Sequence, residues 1–307
     1  MNKNKRPAAL SLLLSLLQLV CCWPLFAGDG KTLLFGRVFD DPVRAIRDRQ
    51  EFVDYLAKKL APVGITAGKI IVVEKLHLLG QALRDGQVDL FHDSVVPTLV
   101  LAKRVGALPL LRQWKYGEAD YKGLIVVKKS SDINSVADLK GKLIAFEEAH
   151  STSATVLPRM LLEGKKLKLM HIQTPGTAVR PDSVGYSYGS DGNAVNVLIT
   201  GRADAATTIH REFDRLKPEI RDSLKILDST ISVPRNLVAF RKDIDPKLLK
   251  EIKDVLLNMD KDPEGQGVLK RSQNTTKFDE LPPGSLEQLK QIDKYVFSNL
   301  GKEINLW

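Results

Sequence analysis

Cysteine is nearly absent: two residues in 307, Cys21 and Cys22, side by side near the amino terminus. A chain that loses its first residues on export keeps no thiol, so a disulfide scaffold, a cysteine nucleophile and a cysteine-liganded zinc site are all excluded from the mature protein. The five histidines, His77, His92, His150, His171 and His210, are scattered without the spacing that metal ligation needs. No Gly-x-Ser-x-Gly elbow and no glycine-rich phosphate loop ending in Gly-Lys-Ser/Thr occurs. Nor is there a basic stripe to follow a nucleic-acid backbone, the one tight cluster being Lys165, Lys166 and Lys168. The residues therefore call for no cofactor, no metal and no nucleic acid.

What is present begins with an export signal. Lys3, Lys5 and Arg6 precede the apolar stretch Leu10 to Trp23, and Pro24-Leu25-Phe26-Ala27-Gly28 offers a breaker and a small residue, with cleavage expected after Ala27. The apolar stretch is shorter than the roughly 20 residues of a membrane-spanning helix, so residues 1–27 are expected to be a signal peptide, with a periplasmic protein and no stable membrane insertion after cleavage. An uncleaved anchor stays open. A lipid anchor is disfavoured because neither cysteine has Gly, Ala or Ser before it.

The whole chain carries 46 Lys+Arg against 37 Asp+Glu, a formal +9; without the leader's three basic residues this is 43 against 37, or +6. A mildly basic exported protein suits an anionic ligand or an acidic surface, and charge alone separates neither. About 280 residues bury a core large enough to dispense with crosslinks.

Short apolar runs alternate with amphipathic stretches. Strands are expected at Thr32 to Val38, Ile70 to Val73 and Val88 to Phe91, separated by helices over Pro42 to Leu60 and Leu78 to Arg84 and followed by one over Val95 to Arg104. A second unit opens with Gly123 to Lys128 and continues through Lys142 to Phe146, a helix after Ser151, a weak region through His171, a helix from Gly192 to Thr200 and strands at Ala203 to Thr207 and Leu224 to Leu227. Leu237 to Arg241 reads as a second extended crossing, with helices Pro246 to Met259 and Ser285 to Leu300 closing the chain. This order predicts an α/β fold of two lobes joined by two crossing strands, with ligand held beyond the carboxyl ends of the strands. Lobe 1 is expected at 28–122 plus 241–307, and lobe 2 at 123–240 including the hinge strands.

At the junction Phe146-Glu147-Glu148-Ala149-His150-Ser151-Thr152-Ser153, a strand-like run becomes a helix-like one through three consecutive hydroxyls. A helix start has unpaired backbone N–H groups and a partial positive charge, so hydroxyls there can hold a tetrahedral anion. One Ser or Thr would also suffice as a simple N-cap, and both readings stand from these residues alone.

Taken together, Gly86-Gln87-Val88-Asp89-Leu90, Asp138-Leu139-Lys140-Gly141, Ser151-Thr152-Ser153 followed by Val156-Leu157-Pro158-Arg159, Gly201-Arg202-Ala203-Asp204-Ala205 and Val233-Pro234 resemble the phosphate/phosphite/phosphonate-type substrate-binding proteins of ABC transporters, from about Thr32 to about Asp260. The resemblance implies a type II periplasmic-binding-protein fold, a small oxyanion ligand and a transporter permease as partner. It puts ligand oxygens on Ser151, Thr152 and Ser153 beside His150, with the first-lobe loop His92, Asp93 and Ser94 closing over them. His92 and Asp93 depart from the aromatic and glycine usual there; a histidine can donate to an anion, and Ser94 or Asp93 can simply cap the next helix. Asp191 matches a family segment that brings a polar group to the cleft, and Tyr188, with Tyr186, lies in a glycine-rich loop able to cover ligand or to anchor to its own lobe. Pro234-Arg235-Asn236 stands where relatives that bind aminoalkyl phosphonates tend to carry an acidic residue. Arg235 and Asn236 thus favour an anion without an amine: phosphate, phosphite or a simple phosphonate. Arg235 as an exposed hinge residue is the alternative.

Two other functional classes share these features in part. The same domain can report ligand to a membrane histidine kinase instead of delivering cargo, since both roles need selective closure. A hydrolase is disfavoured, because His150 beside Ser151 in sequence does not supply base-to-hydroxyl geometry. The chain is expected not to be an enzyme.

Overall fold

The computed structural model describes residues 30–174, 176–189 and 193–300. The leader with both cysteines, and Asp191, lie outside the described residues. Two six-stranded mixed sheets carry the fold, each flanked by helices to form a lobe. The first runs Phe278–Glu280, Leu108–Gln113, Asn236–Phe240, Leu90–Asp93, Lys31–Val38, Ile65–Val73 across its width; the second runs Leu224–Ser229, Gly123–Lys128, Ala205–Ile209, Leu143–Phe146, Ser183–Tyr188, Lys168–His171.

The parallel pairings sit at one side of each sheet. Lys31–Val38 is parallel to Ile65–Val73 and Leu90–Asp93, and Leu143–Phe146 to Ser183–Tyr188 and Ala205–Ile209. Strands covered on both faces read as continuous apolar runs, and Leu124, Ile125, Val126 and Val127 are all fully buried. Between the lobes the chain crosses at a two-stranded ribbon, Asp120–Tyr121 against Val233–Pro234. Asn236–Phe240, expected at the end of lobe 2, pairs instead with Leu108–Gln113 and Leu90–Asp93, so the chain rejoins the first sheet at Asn236.

Two local expectations are corrected. The helix expected over Pro42 to Leu60 is two, Pro42–Arg47 and Gln50–Lys59, broken at Asp48 and Arg49. The stretch with Tyr186 and Tyr188, expected as a loop, is the strand Ser183–Tyr188. Its small residues weaken the strand signal, yet Gly185 is required there: a Cβ would collide with the Val179 side chain.

The C-terminal helix Ser285–Tyr295 and the turn Val296–Leu300 pack on both lobes. Leu289, Ile292, Val296 and Leu300 share one apolar cluster with Val95, Val96 and Val100 of the first lobe and Val156 and Leu157 of the second. Among the described residues no helix is long and apolar enough to cross a membrane.

Candidate functional site

The carboxyl ends of the parallel strands from both lobes open onto one cleft of about 790 Å³. Arg37 and Val38 end the strand Lys31–Val38 and Phe39 follows it; His92 and Asp93 end Leu90–Asp93 and Ser94 follows; Glu147 and Ser151–Ala154 follow Leu143–Phe146; Thr208 and Ile209 end Ala205–Ile209. Ligands of open α/β sheets bind at such edges.

The hydroxyl run forms a π-helical first turn, Thr152–Val156, before the α-helix Leu157–Gly164. Its cause is Pro158, which has no N–H for the Ala154 carbonyl. That carbonyl is satisfied instead by the Thr207 hydroxyl, while the Val156 N–H reaches back five residues to Ser151 O at 3.0 Å. The widened turn leaves the leading N–H groups of the segment at the cleft. Each hydroxyl has its own task. Ser151 is the N-cap, accepting from Ala154 N at 3.4 Å. Thr152 is buried and its Oγ1 accepts the Val96 N–H across the cleft at 2.9 Å. Ser153 faces the phenol of Tyr121, whose own ionisation is pushed up by burial. The crossing strand must come close here: a Cβ on Gly123 would collide with the Ser153 carbonyl oxygen.

The facing wall is cationic. Arg49 is 3% exposed; one Nη donates to Ser272 Oγ at 2.6 Å and its Nε has no partner. Arg37 donates to the Ala45 carbonyl at 3.1 Å and lies over the Phe39 ring. Lys115 and Tyr116 come from a tight turn in which Tyr116 holds φ 60° and Gly117 φ 80°, a type I′ geometry costly for tyrosine. That turn sets the Tyr116 ring 3.6 Å from the Arg211 guanidinium of the second lobe, a second contact across the cleft. Burial pushes Arg49 down to about 9, with Arg37 adding to the fall, and Lys115 down to about 7, helped by Arg235, Arg49 and Arg37. Among the described residues, Arg37, Arg49 and Lys115 form no ion pair with a carboxylate.

Of the residues expected to bind ligand, Ser151, Thr152, Ser153, His92, Asp93, Ser94, Arg235 and Asn236 all line this cleft. His150 lies in an adjoining recess with Asp93, Ser94 and Ser151, and its Nε2 is 3.1 Å from Glu148. His92 is packed between Phe35 and Phe52, and burial, then Arg49, holds its pKa far below the usual histidine range. The neutral ring spends its Nδ1–H on Gln113 Oε1, which also accepts from Asn236 Nδ2 at 3.2 Å, while Gln113 Nε2 donates to Thr275 Oγ1 at 2.8 Å. This places His92 and Asn236 in a polar spine behind the wall; the expected donation from His92 to an anion is not made by that nitrogen. Asp93 is raised by burial and accepts from Ser94 N at 2.6 Å. Arg235, expected at the cleft or exposed at the hinge, is buried, with Nε 3.4 Å from Glu118 and its guanidinium over Tyr121. Tyr188 is absent from the cleft: its hydroxyl accepts from Arg159 at 2.8 Å, and Tyr186 stacks on His171. Both tyrosines brace the second lobe.

Arg49, Lys115 and Tyr121 were missed from sequence. The signal available was Trp114-Lys115-Tyr116-Gly117, an aromatic and basic run just ahead of the first crossing.

Over residues 39–283 the chain matches the family described as ABC transporter, phosphonate, periplasmic substrate-binding protein. XAC2383 from Xanthomonas citri, solved with bound chloride, superposes with a TM-score of 0.81 at 27% identity, covering 86% of this chain and 97% of that one. Its structure bound to ATP gives 0.80 and 26%, covering 86% and 96%. PhnD1 from Prochlorococcus marinus in complex with methylphosphonate has the same fold, with a TM-score of 0.63 at 18% identity over 90% of this chain and 99% of that one. The phosphonates-binding periplasmic protein of Escherichia coli (strain K12) is 26% identical over 162 residues, 50% of this chain; the match spans 45% of that relative's length.

Proposed function

This chain belongs to the family of periplasmic substrate-binding proteins of phosphonate ABC transporters, and from that premise we propose that it captures a phosphorus oxyanion between its lobes and presents it to a transporter permease. The protein acts by closure and not by catalysis, in the periplasm. We assign described residues 30–122 and 236–300 to the first lobe and 123–235 to the second, the strand Asn236–Phe240 moving to the first because it pairs in that sheet.

One observation carries the reading: the Ser151–Ser153 helix start, with its leading N–H groups, opens toward a wall of Arg37, Arg49, Lys115 and Arg235. Neutral donors fix an anion's oxygens while the cations supply charge. Position 236 carries an amide, which donates to Gln113, and not a carboxylate that could pair with a ligand ammonium, which favours phosphate, phosphite or a simple phosphonate over an aminoalkyl phosphonate.

A nucleoside triphosphate is a second reading, favoured by the ATP-bound Xanthomonas citri structure at 26% identity and by a cleft of about 790 Å³, within the range of pockets that hold drug-sized ligands. Calorimetric titration of the purified protein with phosphate, phosphite, methylphosphonate, aminoethylphosphonate, sulfate and ATP separates these. Tightest binding of an amine-free phosphorus monoanion or dianion supports the first reading and tightest binding of ATP the second. Absence of binding by every phosphorus compound overturns both.

A further inference from the structure

Building on the reading just given for the hydroxyl-lined helix start, we propose that Arg37, Arg49 and Lys115 form a second anion subsite on the opposite wall, so that the ligand is a molecule bearing two oxyanion groups, at least one of them phosphoryl. A single phosphonate carries one or two negative charges near neutral pH. Arg37, Arg49 and Lys115 concentrate positive charge on one wall of the cleft, away from the hydroxyl turn's own donors.

The cations around the cleft divide by how they are neutralised. Arg44 has Asp48 at 3.9 Å, Arg211 has Glu212 at 2.6 Å, and Arg235 has Glu118 at 3.4 Å. Arg37, Arg49 and Lys115 have neutral partners or none: a backbone carbonyl, a serine hydroxyl and the π-face of Tyr116. All three line one cavity. Two carboxylates act on them, Asp48 on Arg37 and Arg49 and Asp93 on Arg37 and Lys115, but neither forms an ion pair with any of the three, so their charge is offset only in part.

Holding three like charges together in a partly desolvated site is costly, and the cost persists in a folded protein only where something compensates it. Burial first, and then neighbouring cations, depress both groups: Arg37 acts on Arg49, and Arg235, Arg49 and Arg37 act on Lys115. A stability role does not account for the arrangement, since removing any one charge would relieve the other two. An anion placed among them relieves all three, and Arg49, with its Nε buried and unpartnered, retains a donor for it. The two walls thus address different ends of a ligand: amides and hydroxyls at Thr152 and Ser153, guanidinium and ammonium groups opposite.

Titration of the purified protein at pH 7 with methylphosphonate, methylenebisphosphonate and pyrophosphate tests this, using wild type, Lys115→Met and Lys115→Arg. The expected result is at least tenfold tighter binding of methylenebisphosphonate or pyrophosphate than of methylphosphonate, with that ratio falling at least tenfold in Lys115→Met and recovering in Lys115→Arg. Thermal melting of the ligand-free variants shows that each is folded. If methylphosphonate binds and neither two-headed probe binds more tightly, the second subsite is wrong while the proposed function stands. A ratio unchanged in Lys115→Met overturns it as well. If none of the three binds, the reading of the helix start fails, and this inference with it.

Discussion

Thr152 and Val96 stand on opposite lobes, and the Thr152 hydroxyl caps the helix that begins at Val95 by accepting the Val96 N–H at 2.9 Å. The helix's own N-cap residue, Ser94, makes no side-chain cap. One orphan donor of a first-lobe helix is therefore satisfied by the second lobe, and only while the lobes are together. Thr152→Val removes that cap and is expected to disfavour the closed form by about 0.5–2 kcal/mol, the usual worth of an N-cap. Small-angle scattering of the ligand-free variant should give a larger radius of gyration than wild type, with Thr152→Ser restoring it. An unchanged radius would mean that the contact does not bias closure.

Ser151→Ala with Thr152→Val should weaken anion binding strongly while leaving the fold intact. Hydrogen bonds to charged groups are worth about 1.5–3 kcal/mol each, so roughly a tenfold to hundredfold loss per donor is expected in calorimetry. Ser153→Ala alone should lose about one such increment, because Ser153 faces Tyr121 and not a backbone donor.

Lys115 ties binding to pH. Its pKa in the ligand-free protein is lowered to about 7 by burial and by Arg235, Arg49 and Arg37, with Asp93 acting the other way. An anion alongside raises it again, so binding at pH 8 should take up as much as about one proton from buffer. Calorimetry in two buffers of different ionisation heat reads this uptake, and the Lys115→Met variant should show correspondingly less. Stability moves with the same linkage. The unfolded chain binds the proton up to the ordinary lysine range and the folded chain does not, so ligand-free stability should rise with pH between the two. Near pH 7 Lys115→Met should melt above wild type, and the gap should narrow toward pH 10; a gap that widens would contradict the sign.

Gly123→Ala tests the close approach of the crossing strand to the hydroxyl turn. A Cβ there meets the Ser153 carbonyl oxygen, which belongs to backbone and cannot swing aside. Overpacking of this kind typically costs about 1–3 kcal/mol. The variant should melt lower and also bind anion more weakly, whereas Gly86→Ala, at a turn with open space around it but φ 68°, should lose stability without losing affinity.

The two-lobed α/β architecture was legible because buried parallel strands are apolar throughout, as Leu124 to Val127 are, and because glycines such as Gly106 end helices in left-handed geometry. The hydroxyl turn was legible because capping chemistry is local in sequence. Of the cationic wall, Arg235 was legible but Arg49 and Lys115 were not. Arg49 reaches the cleft through a break at Asp48 that hydrophobic periodicity runs straight across, and Lys115 through a turn whose left-handed Tyr116 no propensity favours. The bracing role of Tyr188 was hidden because its partner, Arg159, lies 29 residues away on the helix Leu157–Gly164 of the same lobe.

The central claim is that a phosphorus oxyanion sits on the helix start at Ser151–Ser153. A crystal structure of the purified protein grown with methylphosphonate tests it most directly. Phosphonate oxygens within about 2.7–3.2 Å of the backbone or side-chain donors of these residues, with the lobes closed, is the result predicted. A phosphonate bound elsewhere, or bound in the cleft with Ser151, Thr152 and Ser153 making no contact to it, would contradict the claim.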